Sequence, residues 1–502
     1  MRAAWGVESI RTAEAELMAT LAPGTLMQRA ASGLASVCAQ VLRGSVGSVY
    51  GARIVLVVGS GDNGGDALFA GARLAERGAR VEALLIAGHA HEGGLVALRR
   101  AGGSVREIKS VDDIAQTLGD ADLVVDGIVG IGGSGPLREP AAEVAREMAN
   151  CDALVVAVDL PSGIDANTGD VPGVCVSADV TATFGALKPG LLIAPGHEHV
   201  GVLTVVDIGL EPTLATTSPI LQVLDADDVA DAMPVAVPGD HKYSRGVVGI
   251  VAGSAPMPGA AILCTAGARI AGVGMVRVLD HNTAVATAVV RRFPDIVLDS
   301  TDPCDNPRVN AWVCGPGLGR GDKERTLVRR MLDVGVPVIL DADALFHLDD
   351  PELREALAAR SERGLVTVLT PHEGEFARLC GPVGHNRIET VQRAASDLDV
   401  IMLLKGSTTL IAEPGGTTYV NTVAVPELAT AGSGDVLSGL IGGLLASARD
   451  VDPLIVVAAA AYLHGLSGSR LAANGHTFTA DELPDGIGAA ISDLRASGRM
   501  NQ

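Results

Sequence analysis

Residues Arg53–Asp66 read RIVLVVGSGDNGGD, and this stretch decides the fold class. Its largely apolar first half, Arg53–Gly59, predicts a buried strand, and the Gly-rich turn after it leads into a helix predicted over Ala67–Gly78. A turn of this kind presents backbone amides and the positive end of a helix to an anion. Many such turns are only tight connections, so this turn by itself does not establish a ligand site.

The same alternation of strand and helix continues through the first half of the chain. Helical patterning over Met1–Leu42 precedes it, and further strands and helices are predicted at Arg80–Ala87, Leu95–Ala101, Asp122–Asp126, Ala141–Asn150 and Ala153–Asp159. Continuous Val, Ile and Leu strands separated by helices are typical of a parallel sheet covered on both faces. We therefore expect an α/β fold with a Rossmann-like, three-layer N-terminal domain.

A domain boundary is predicted within Glu211–His241, where Pro, Thr and Asp replace the long apolar runs. A second series of strands follows, predicted at Gly246–Gly253, Ala311–Cys314, Pro337–Asp341, Leu365–Thr370 and Val400–Leu404. The two halves show no obvious repeat. We expect two unrelated α/β domains, at residues 1–215 and 225–502.

Composition excludes several classes of protein. The net charge is −21 without a run of Lys or Arg, which argues against nucleic-acid binding. The seven cysteines are scattered and form no CxxC, so we expect free thiols in the reducing cytoplasm. No signal peptide is recognised, and the longest apolar stretch, Pro453–Leu466, is too short to span a bilayer. We expect a cytoplasmic protein that does not bind membranes.

Carboxylates follow three predicted strands of the first half. The Gly-rich turn holds Asp62 and Asp66, whereas Asp126 and Asp159 each end an apolar strand beside a flexible loop. Because the carboxyl ends of parallel strands meet at one edge of a sheet, these groups should lie together. Burial and neighbouring like charges would raise their pKa values. Alternatively, Asp126 and Asp159 only cap the turns that follow them.

Here the motifs resemble those of the NAD(P)H-hydrate epimerase family. They are DNGGD at Asp62–Asp66, the loop after Asp126, VDLPSGIDANTG at Val158–Gly169 and TFGALKPG at Thr183–Gly190, within about residues 1–215. The resemblance implies a potassium site lined by Asn63, Asp126 and Ser162, with Asp159 contacting substrate near the reacting centre. It implies that the hydrated dinucleotide binds to Asp62, Asn63, Gly64, Gly65, Asp66, Gly130, Ile131, Gly132, Gly133, Ser134, Gly135 and Pro136. The family loop more usually reads NNGGDG, and Asp62 and Ala67 replace its first and last residues.

The implied reaction is chemically reasonable. The hydrate carries a hydroxyl on the carbon next to the ring nitrogen, so the nitrogen can expel hydroxide and water can return to the other face. This inversion needs an acid and a base. Our hypothesis assigns these roles to Asp159 and Lys188.

A second candidate site lies near the C-terminus. Ala431–Asp435 reads AGSGD and precedes an apolar helix predicted over Val436–Ala446. Gly432 and Gly434 would leave amides free at the helix N-terminus to hold phosphoryl oxygens. Asp435 would act as the base toward a hydroxyl.

The AGSGD motif resembles that of the ribokinase-like fold, and flanking blocks resemble its ADP-dependent NAD(P)H-hydrate dehydratase branch over about residues 225–490. The blocks are His241–Gly246, Val251–Ser254, Gly259–Ala261, Cys314–Gly319, Thr370–Phe376 and Leu404–Thr409. The resemblance implies that Ala260 or Ala261, Gly317, His372 and Asp435 contact the hydrated cofactor. It implies that Lys405, Gly406, Ser407, Thr408, Thr409 and Gly434 bind the adenine nucleotide. Taken singly, His372 could instead be a capping or core histidine, and Lys405 could simply emerge to solvent.

Phosphorylation makes dehydration intelligible, because phosphate is a far better leaving group than hydroxide. Asp435 would take the hydroxyl proton and Mg²⁺ would neutralise the polyphosphate. The resemblance points to ADP as the co-substrate, whereas the residues alone do not separate ADP from ATP. It also suggests a homo-oligomer.

Two rival functions stay open at this point. The second domain could be a conventional small-molecule kinase with a stable phosphorylated product. The first domain could be a non-catalytic ligand-binding or interaction module, an alternative that the intact Asn63, Asp126, Asp159 and Lys188 argue against.

Overall fold

The structure is a computed structural model that describes residues 1–108 and 111–500. The chain forms two compact units. The N-terminal unit comprises Ala3–Leu221, and the C-terminal unit comprises the residues from Gln222 onward together with Met1–Arg2. Each unit has its own parallel-stranded sheet, so the α/β class expected for both halves is confirmed.

The first part of the chain alternates helices and strands, with two helices ahead of the main sheet. Its elements are β1 (Arg2–Ala4), α1 (Val7–Thr20), α2 (Thr25–Ser45), β2 (Arg53–Val58), α3 (Asp62–Glu76), β3 (Arg80–Leu85), α4 (Glu92–Arg100), β4 (Ser104–Glu107), α5 (Val111–Gly119), β5 (Leu123–Gly127), α6 (Ala141–Met148), β6 (Leu154–Val158), β7 (Val180–Phe184), β8 (Val202–Val206) and α7 (Glu211–Leu214).

The N-terminal unit is a Rossmann-like, three-layer domain. Seven parallel strands lie in the order β4-β3-β2-β5-β6-β7-β8. Alternate residues of β2 enter different cores: Leu56 packs with helices α1 to α4, and Val57 packs with α5 and α6. This period of two reflects the pleat of a strand buried on both faces. Strand order reverses between β2 and β5, and ligands of such sheets bind outside the strand ends at this switch point.

The C-terminal unit follows the same principle with more helices. Its elements are β9 (Leu221–Val223), α8 (Ala226–Ala232), β10 (Val247–Val251), α9 (Pro258–Ile270), β11 (Met275–Leu279), α10 (Thr283–Arg292), β12 (Val297–Asp299), β13 (Ala311–Cys314), α11 (Asp322–Asp333), β14 (Val338–Leu340), α12 (Asp343–His347), α13 (Pro351–Glu362), β15 (Thr367–Leu369), α14 (Glu373–Cys380), α15 (Arg387–Leu398), β16 (Ile401–Leu404), β17 (Thr409–Ala412), β18 (Thr418–Asn421), α16 (Ser433–Ser447), α17 (Pro453–Leu471) and α18 (Leu483–Met500).

The sheet of the C-terminal unit is the larger of the two and has eleven strands. Its order is β1-β9-β18-β17-β16-β15-β14-β13-β10-β11-β12. Strands β10 to β16 run parallel, whereas β17 is antiparallel to both of its neighbours. The order reverses between β10 and β13, which makes their carboxyl ends the expected ligand-binding edge.

Helices α9 and α16 cover this sheet and approach each other closely because glycines face the contact. A β-carbon at Gly267 would lie 2.1 Å from the Val436 carbonyl oxygen, and one at Gly439 would lie 1.9 Å from the Cys264 carbonyl oxygen. Neither space admits a side chain. The glycines therefore fix the position of α16, whose N-terminus carries Asp435.

Two helices differ from the sequence expectation. Helix α3 begins at Asp62 instead of Ala67, so DNGGD forms the first helical turn. Helix α17 runs five residues beyond Leu466, and its 19 residues make it long and apolar enough to cross a membrane. Two-thirds of its apolar window is nevertheless buried within the fold, as in the core helix of a globular domain. The expectation that this stretch was too short was therefore wrong in length.

Candidate active sites

The N-terminal site begins at the switch point, where β5 delivers Asp126. The Asp126 carboxylate is fully buried and accepts hydrogen bonds from the Ser162 amide (2.8 Å), the Ser162 hydroxyl (2.7 Å) and the Ile128 amide (3.2 Å). Burial raises the pKa of Asp126 to about 6, although these hydrogen bonds oppose the rise. The Ile128 bond is a local turn contact, but Ser162 follows a different strand. Asp126 therefore joins two strand ends instead of only capping its own turn.

Asn63 lies beside the loop that follows Asp126. A β-carbon at Gly130 would lie 2.7 Å from Asn63 Oδ1, and the buried Asn63 Nδ2 has no hydrogen-bond partner. Within the described residues no cluster of three or more His, Cys, Asp or Glu side chains could hold a metal ion. A cation here would thus need amide and hydroxyl oxygens beside the Asp126 carboxylate. The incompletely bonded amide of Asn63 and the Ser162 hydroxyl fit that requirement for a cation that binds oxygen.

Asp159 and Lys188 form a buried ion pair at the end of β6. Lys188 Nζ donates to Asp159 Oδ1, to Thr183 Oγ1 at 2.9 Å and to the Phe184 carbonyl oxygen at 2.9 Å. Asp159 also accepts from the Thr183 hydroxyl and the Phe184 amide. Only 1% of the Lys188 side chain is exposed. The two residues that sequence reasoning assigned to acid–base chemistry are therefore in direct contact.

Asp159 has unusual backbone geometry. Its φ of 69° lies in the left-handed region, which L-residues other than Gly, Asn and Asp rarely adopt. Asp159 is the first residue after β6, and its side chain contacts the Phe184 amide and the Lys188 ammonium group. Strained residues of this kind persist where the surrounding contacts determine them, which is common at functional sites.

Further carboxylates surround this ion pair. Burial raises the pKa of Asp66 well above its usual range, and the charges of Asp159, Asp62 and Glu14 add to the rise. Burial likewise raises the pKa of Glu14, which lies on α1 near Lys188 and Asp159. Glu14 was missed from the sequence because α1 reads only as an amphipathic helix. The site thus holds acidic groups that are protonated more readily than exposed carboxylates.

The glycine-rich loop after Asp126 is the open side of the N-terminal site. Residues Gly132–Pro136 are exposed, and the Arg11 guanidinium donates to the Ile131 carbonyl oxygen at 3.1 Å. The loop therefore presents backbone groups to solvent, as a dinucleotide-binding role requires. Arg11 is a second residue of α1 that the motifs did not reveal.

In the C-terminal unit, the ends of β10 and β13 are joined by hydrogen bonds. The Gly253 amide donates to the Pro316 carbonyl oxygen at 2.7 Å, and the Ser254 hydroxyl donates to the Gly317 carbonyl oxygen at 2.7 Å. Gly317 has a φ of 58°, and a β-carbon there would lie 2.6 Å from that of Ala260. Ala260 and Gly317 therefore lie together at this edge.

The neighbouring alanine occupies a different environment. Ala261 is fully buried, and its methyl group packs below Gly253. The resemblance left open whether Ala260 or Ala261 contacts the cofactor. The structure makes Ala260 the accessible one and places Ala261 in the core.

Asp435 lies in the first turn of α16, after Gly432 in the left-handed conformation. Burial raises the pKa of Asp435 to about 7, and the charge of Asp341 adds to this while Lys405 opposes it. A β-carbon at Gly434 would lie 3.2 Å from Lys405 Nζ. The arrangement places an ammonium group and a carboxylate beside a helix N-terminus. The ammonium group and the helix N-terminus suit binding of an anionic phosphoryl group, and the carboxylate can act as a base.

Lys405 does not simply emerge to solvent. Its ammonium group donates to Asp341 Oδ1 at 2.9 Å, and its side chain is 22% exposed. Burial opposes the charged form, but Asp341, Glu375 and Asp435 outweigh it and raise the pKa of Lys405. Asp341 was not selected from the sequence, although it ended the predicted strand Pro337–Asp341.

His372 is a capping residue. Its Nδ1 accepts from the Gly374 amide (3.0 Å) and the Glu375 amide (3.3 Å), while Glu375 Oε2 accepts from the His372 amide (3.0 Å). This capping box starts α14. Because Nδ1 accepts, neutral His372 carries its proton on Nε2, and 62% of the side chain is exposed. Nε2 lies 3.6 Å from Glu375 Oε2, so it faces that carboxylate as well as solvent.

The remaining nucleotide-binding candidates follow β16. Gly406 and Ser407 are exposed, whereas Thr408 is buried and Thr409 starts β17. A β-carbon at Gly406 would lie 3.4 Å from a guanidinium nitrogen of Arg387, a residue that the motifs did not reveal. This short loop joins two strands and contributes both exposed backbone and a cationic neighbour.

Comparisons with known proteins agree with both resemblances. The family described as NAD(P)H-hydrate dehydratase matches residues 248–488, and the family described as YjeF-related protein N-terminus matches residues 23–190. The bifunctional NAD(P)H-hydrate repair enzyme Nnr of Mycobacterium tuberculosis is 46% identical over 450 residues, which cover 89% of this chain and 90% of the relative. Its counterpart in Salinibacter ruber is 33% identical over 523 residues, covering 95% and 94%.

A solved structure is similar to part of this chain. The ADP/ATP-dependent NAD(P)H-hydrate dehydratase from Bacillus subtilis, co-crystallised with ATP and Mg²⁺, is 29% identical to this chain. The match has a TM-score of 0.48 and covers 55% of this chain and 99% of that one.

Proposed function

Because this chain belongs to the bifunctional NAD(P)H-hydrate repair enzymes, we propose that its two units carry out successive steps on one damaged cofactor. The N-terminal domain, residues 1–215, interconverts the R and S hydrates of NADH and NADPH. The C-terminal domain, residues 225–502, dehydrates the S hydrate with ADP and releases AMP and phosphate. The proposal rests mainly on one observation: the family motifs supply a separate set of buried charges at the ligand-binding edge of each sheet.

In the N-terminal reaction, the ring nitrogen expels the hydroxyl and water returns to the opposite face. Asp159 and Lys188 exchange the protons that this requires, since their direct contact lets a proton move between them. Asp62–Asp66 and Gly130–Pro136 bind the dinucleotide through helix and loop amides. Burial of the ion pair excludes competing water from its inner side.

A potassium ion would be held in this domain by Asn63, Asp126 and Ser162. When bound, it supplies positive charge near the substrate and offsets the buried Asp126 carboxylate. We expect K⁺, but not Li⁺ at equal ionic strength, to raise the melting temperature of the protein. In Asp126→Asn the increase should disappear; an equal K⁺ effect in that variant would contradict the assignment.

In the C-terminal reaction, the substrate hydroxyl attacks the terminal phosphoryl group of ADP, and AMP leaves. Asp435 takes the hydroxyl proton, while Lys405 and the amides at the start of α16 stabilise the phosphoryl oxygens. The ring nitrogen then expels phosphate, and loss of a proton from the adjacent ring carbon restores the dihydropyridine. Ala260, Gly317 and His372 contact the hydrate.

The adenine nucleotide binds to Lys405–Thr409 and Gly434. Mg²⁺ supplies charge neutralisation on the polyphosphate and would be held chiefly by the phosphates, as is usual for this ion. The carboxylates Asp341, Asp343 and Glu375 near Asp435 give a negative surrounding that suits a nucleotide bound with its cation.

The test uses the full chain with a mixture of both hydrate epimers, Mg²⁺, K⁺ and either ADP or ATP. Complete recovery of the absorbance of reduced cofactor is the expected result, with faster recovery in ADP. Recovery of one epimer only would contradict epimerisation and favour a binding role for the N-terminal unit. A stable phosphorylated product instead of inorganic phosphate would favour a conventional kinase.

We also propose that the protein works in the cytoplasm as a homo-oligomer that binds neither nucleic acid nor membrane. The seven free cysteines and the net charge of −21 support the location and the absence of nucleic-acid binding. Native mass spectrometry should give a mass that is two or more times the 51.0 kDa of one chain. A monomer at micromolar concentration would contradict the assembly.

A further inference from the structure

We propose that Asp341 is a positioning residue of the C-terminal site, which holds Lys405 against the start of α16, beside Asp435. The inference rests on the proposed dehydratase reaction and adds to it a residue outside the motif blocks. Asp341 follows β14, whereas Lys405 follows β16 and Asp435 lies in the first turn of α16. Three separate elements therefore meet at this carboxylate.

Both oxygens of Asp341 are engaged. Oδ1 accepts from Lys405 Nζ at 2.9 Å, and Oδ2 accepts from the Ser438 hydroxyl, one turn beyond Asp435 in α16. Only 1% of the Asp341 side chain is exposed. A buried carboxylate is costly unless it is paired and hydrogen-bonded, so the observed contacts define a single arrangement.

Lys405 needs such an anchor because its side chain is long and flexible. Gly434 provides the space for the ammonium group, and Asp341 provides the charge that keeps it there. Without Asp341, Lys405 would lose its ion-pair partner and would occupy several rotamers. The phosphoryl oxygens would then meet a less ordered cation.

Asp341 also acts on Asp435 through its charge. The charges of Asp341, Asp343 and Glu375 disfavour the ionised form of Asp435, and the charge of Lys405 favours it. Asp341 has the largest effect of these four residues. On the packed helices, His464 of α17 is uncharged at neutral pH, since burial lowers its pKa to about 4. Burial also raises the pKa of the Cys264 thiol on α9.

Asp341→Asn removes this charge while preserving the size of the side chain. We expect the acid limb of the pH profile of kcat for dehydration to move down by about one pH unit, because a neighbouring like charge is removed. We also expect the Kd for ADP to rise several-fold as Lys405 loses its anchor. A purely structural role would lower activity without moving the limb.

Two further variants keep the test decisive. Ser438→Ala removes the other partner of Asp341 without changing charge, so its acid limb should stay near that of the wild type. Lys405→Met removes a positive charge and should move the limb to higher pH, opposite to Asp341→Asn. This opposite shift tests the effect of neighbouring charges on Asp435 even if Asp341→Asn folds poorly.

The outcomes separate this inference from the proposed function. If folded Asp341→Asn, judged by its circular dichroism and intact epimerisation, keeps both the wild-type limb and the wild-type ADP affinity, the role of Asp341 is overturned. Absence of dehydration in the wild type would overturn the proposed function instead. Calorimetric titration with ADP would then still decide whether Asp341 positions Lys405: unchanged affinity in Asp341→Asn rejects it.

Discussion

Asp126 and Asp435 are carboxylates that the two units bury in different settings, Asp126 within strand β5 and Asp435 in the first turn of helix α16. Burial raises the pKa of Asp126 to about 6 and that of Asp435 to about 7. Asp126 is fully hydrogen-bonded to its neighbours, whereas Asp435 stays partly accessible beside Lys405. The first is suited to a structural or cation-binding role, and the second to proton transfer near neutral pH.

The raised pKa of Asp435 predicts a pH dependence. A general base must be deprotonated, so kcat for dehydration should increase as pH rises through about 7 and level off above it. Asp435→Asn should reduce the rate by about 10²-fold or more. The rate of absorbance recovery between pH 5.5 and 9 measures both effects. Unchanged epimerisation in this variant serves as the control, and a flat profile would contradict the role of Asp435.

Asp159 predicts different outcomes for two neutral substitutions. Asp159→Asn should abolish epimer interconversion and lower stability, because it leaves the buried Lys188 ammonium without its ion-pair partner. Asp159→Ala should lose activity and about 1 kcal/mol more stability than Asp159→Asn, since Asn tolerates a φ of 69° and alanine is disfavoured in the left-handed region. Epimer exchange followed by chromatography, together with chemical denaturation, distinguishes the two. Activity retained in either variant would reject Asp159 as acid or base.

The residues that sequence reasoning missed have a physical reason in common. Glu14, Arg11 and Asp341 carry no local pattern of their own, and their importance arises from elements far apart in the chain. Asp341 gave a weak signal, since it ended a predicted strand. By contrast, Asp126, Asp159 and Asp435 were recognisable because each lies in a glycine-rich motif whose spacing resembles a known family.

At the scale of elements, packing between α9 and α16 positions the C-terminal site. Gly267→Ala should lower the free energy of unfolding by about 1–3 kcal/mol or more, because the added methyl group meets the Val436 carbonyl oxygen at 2.1 Å. The matched control is Gly259→Ala in the same helix, where nothing lies within 4 Å of the added carbon. Urea denaturation of both variants measures the difference, and equal stabilities would contradict this account of the packing.

Element type was predicted more reliably than element ends. The strands Arg53–Val58 and Leu123–Gly127 agree closely with the apolar runs. The start of helix α3 was predicted too late, because the residues of Asp62–Asp66 have poor helix propensity. They are nevertheless helical in the structure, since acidic residues are favourable at a helix N-terminus. Helix α17 continues past Leu466 because Ser467 donates to the Leu483 carbonyl oxygen and Gly468 packs on Leu428. These tertiary contacts are invisible in a local window.

At the scale of the whole molecule, family membership explains why two unlike α/β units occur in one chain. Random hydration yields both epimers, and a dehydratase that accepts one of them leaves the other unrepaired. When the epimerase is in the same chain as the dehydratase, the two activities are always present together in a fixed ratio. The fold class of both halves and the family were predicted from the sequence and are confirmed, whereas the individual site residues stay predictions.

Because the two sites lie in separate units, a substitution in one site should remove one activity and leave the other unchanged. Asp159→Asn should dehydrate the S hydrate at the wild-type initial rate but leave most of the R hydrate on the timescale of the assay. Asp435→Asn should interconvert the epimers without restoring reduced cofactor. Mixing the two variants should recover nearly the whole pool. If the mixture fails while the wild type succeeds, the two activities depend on being in one intact chain.

The left-handed backbone at Asp159 also limits how this position can change over time. Backbone geometry admits Gly, Asn and Asp, whereas the proposed chemistry admits only a carboxylate, and glutamate fails the first requirement. Under selection for epimerisation the position therefore has no neutral alternative. In a lineage released from that selection, Asn or Gly should be fixed before Ala, so the order of substitutions at this one site would record when the N-terminal activity was lost.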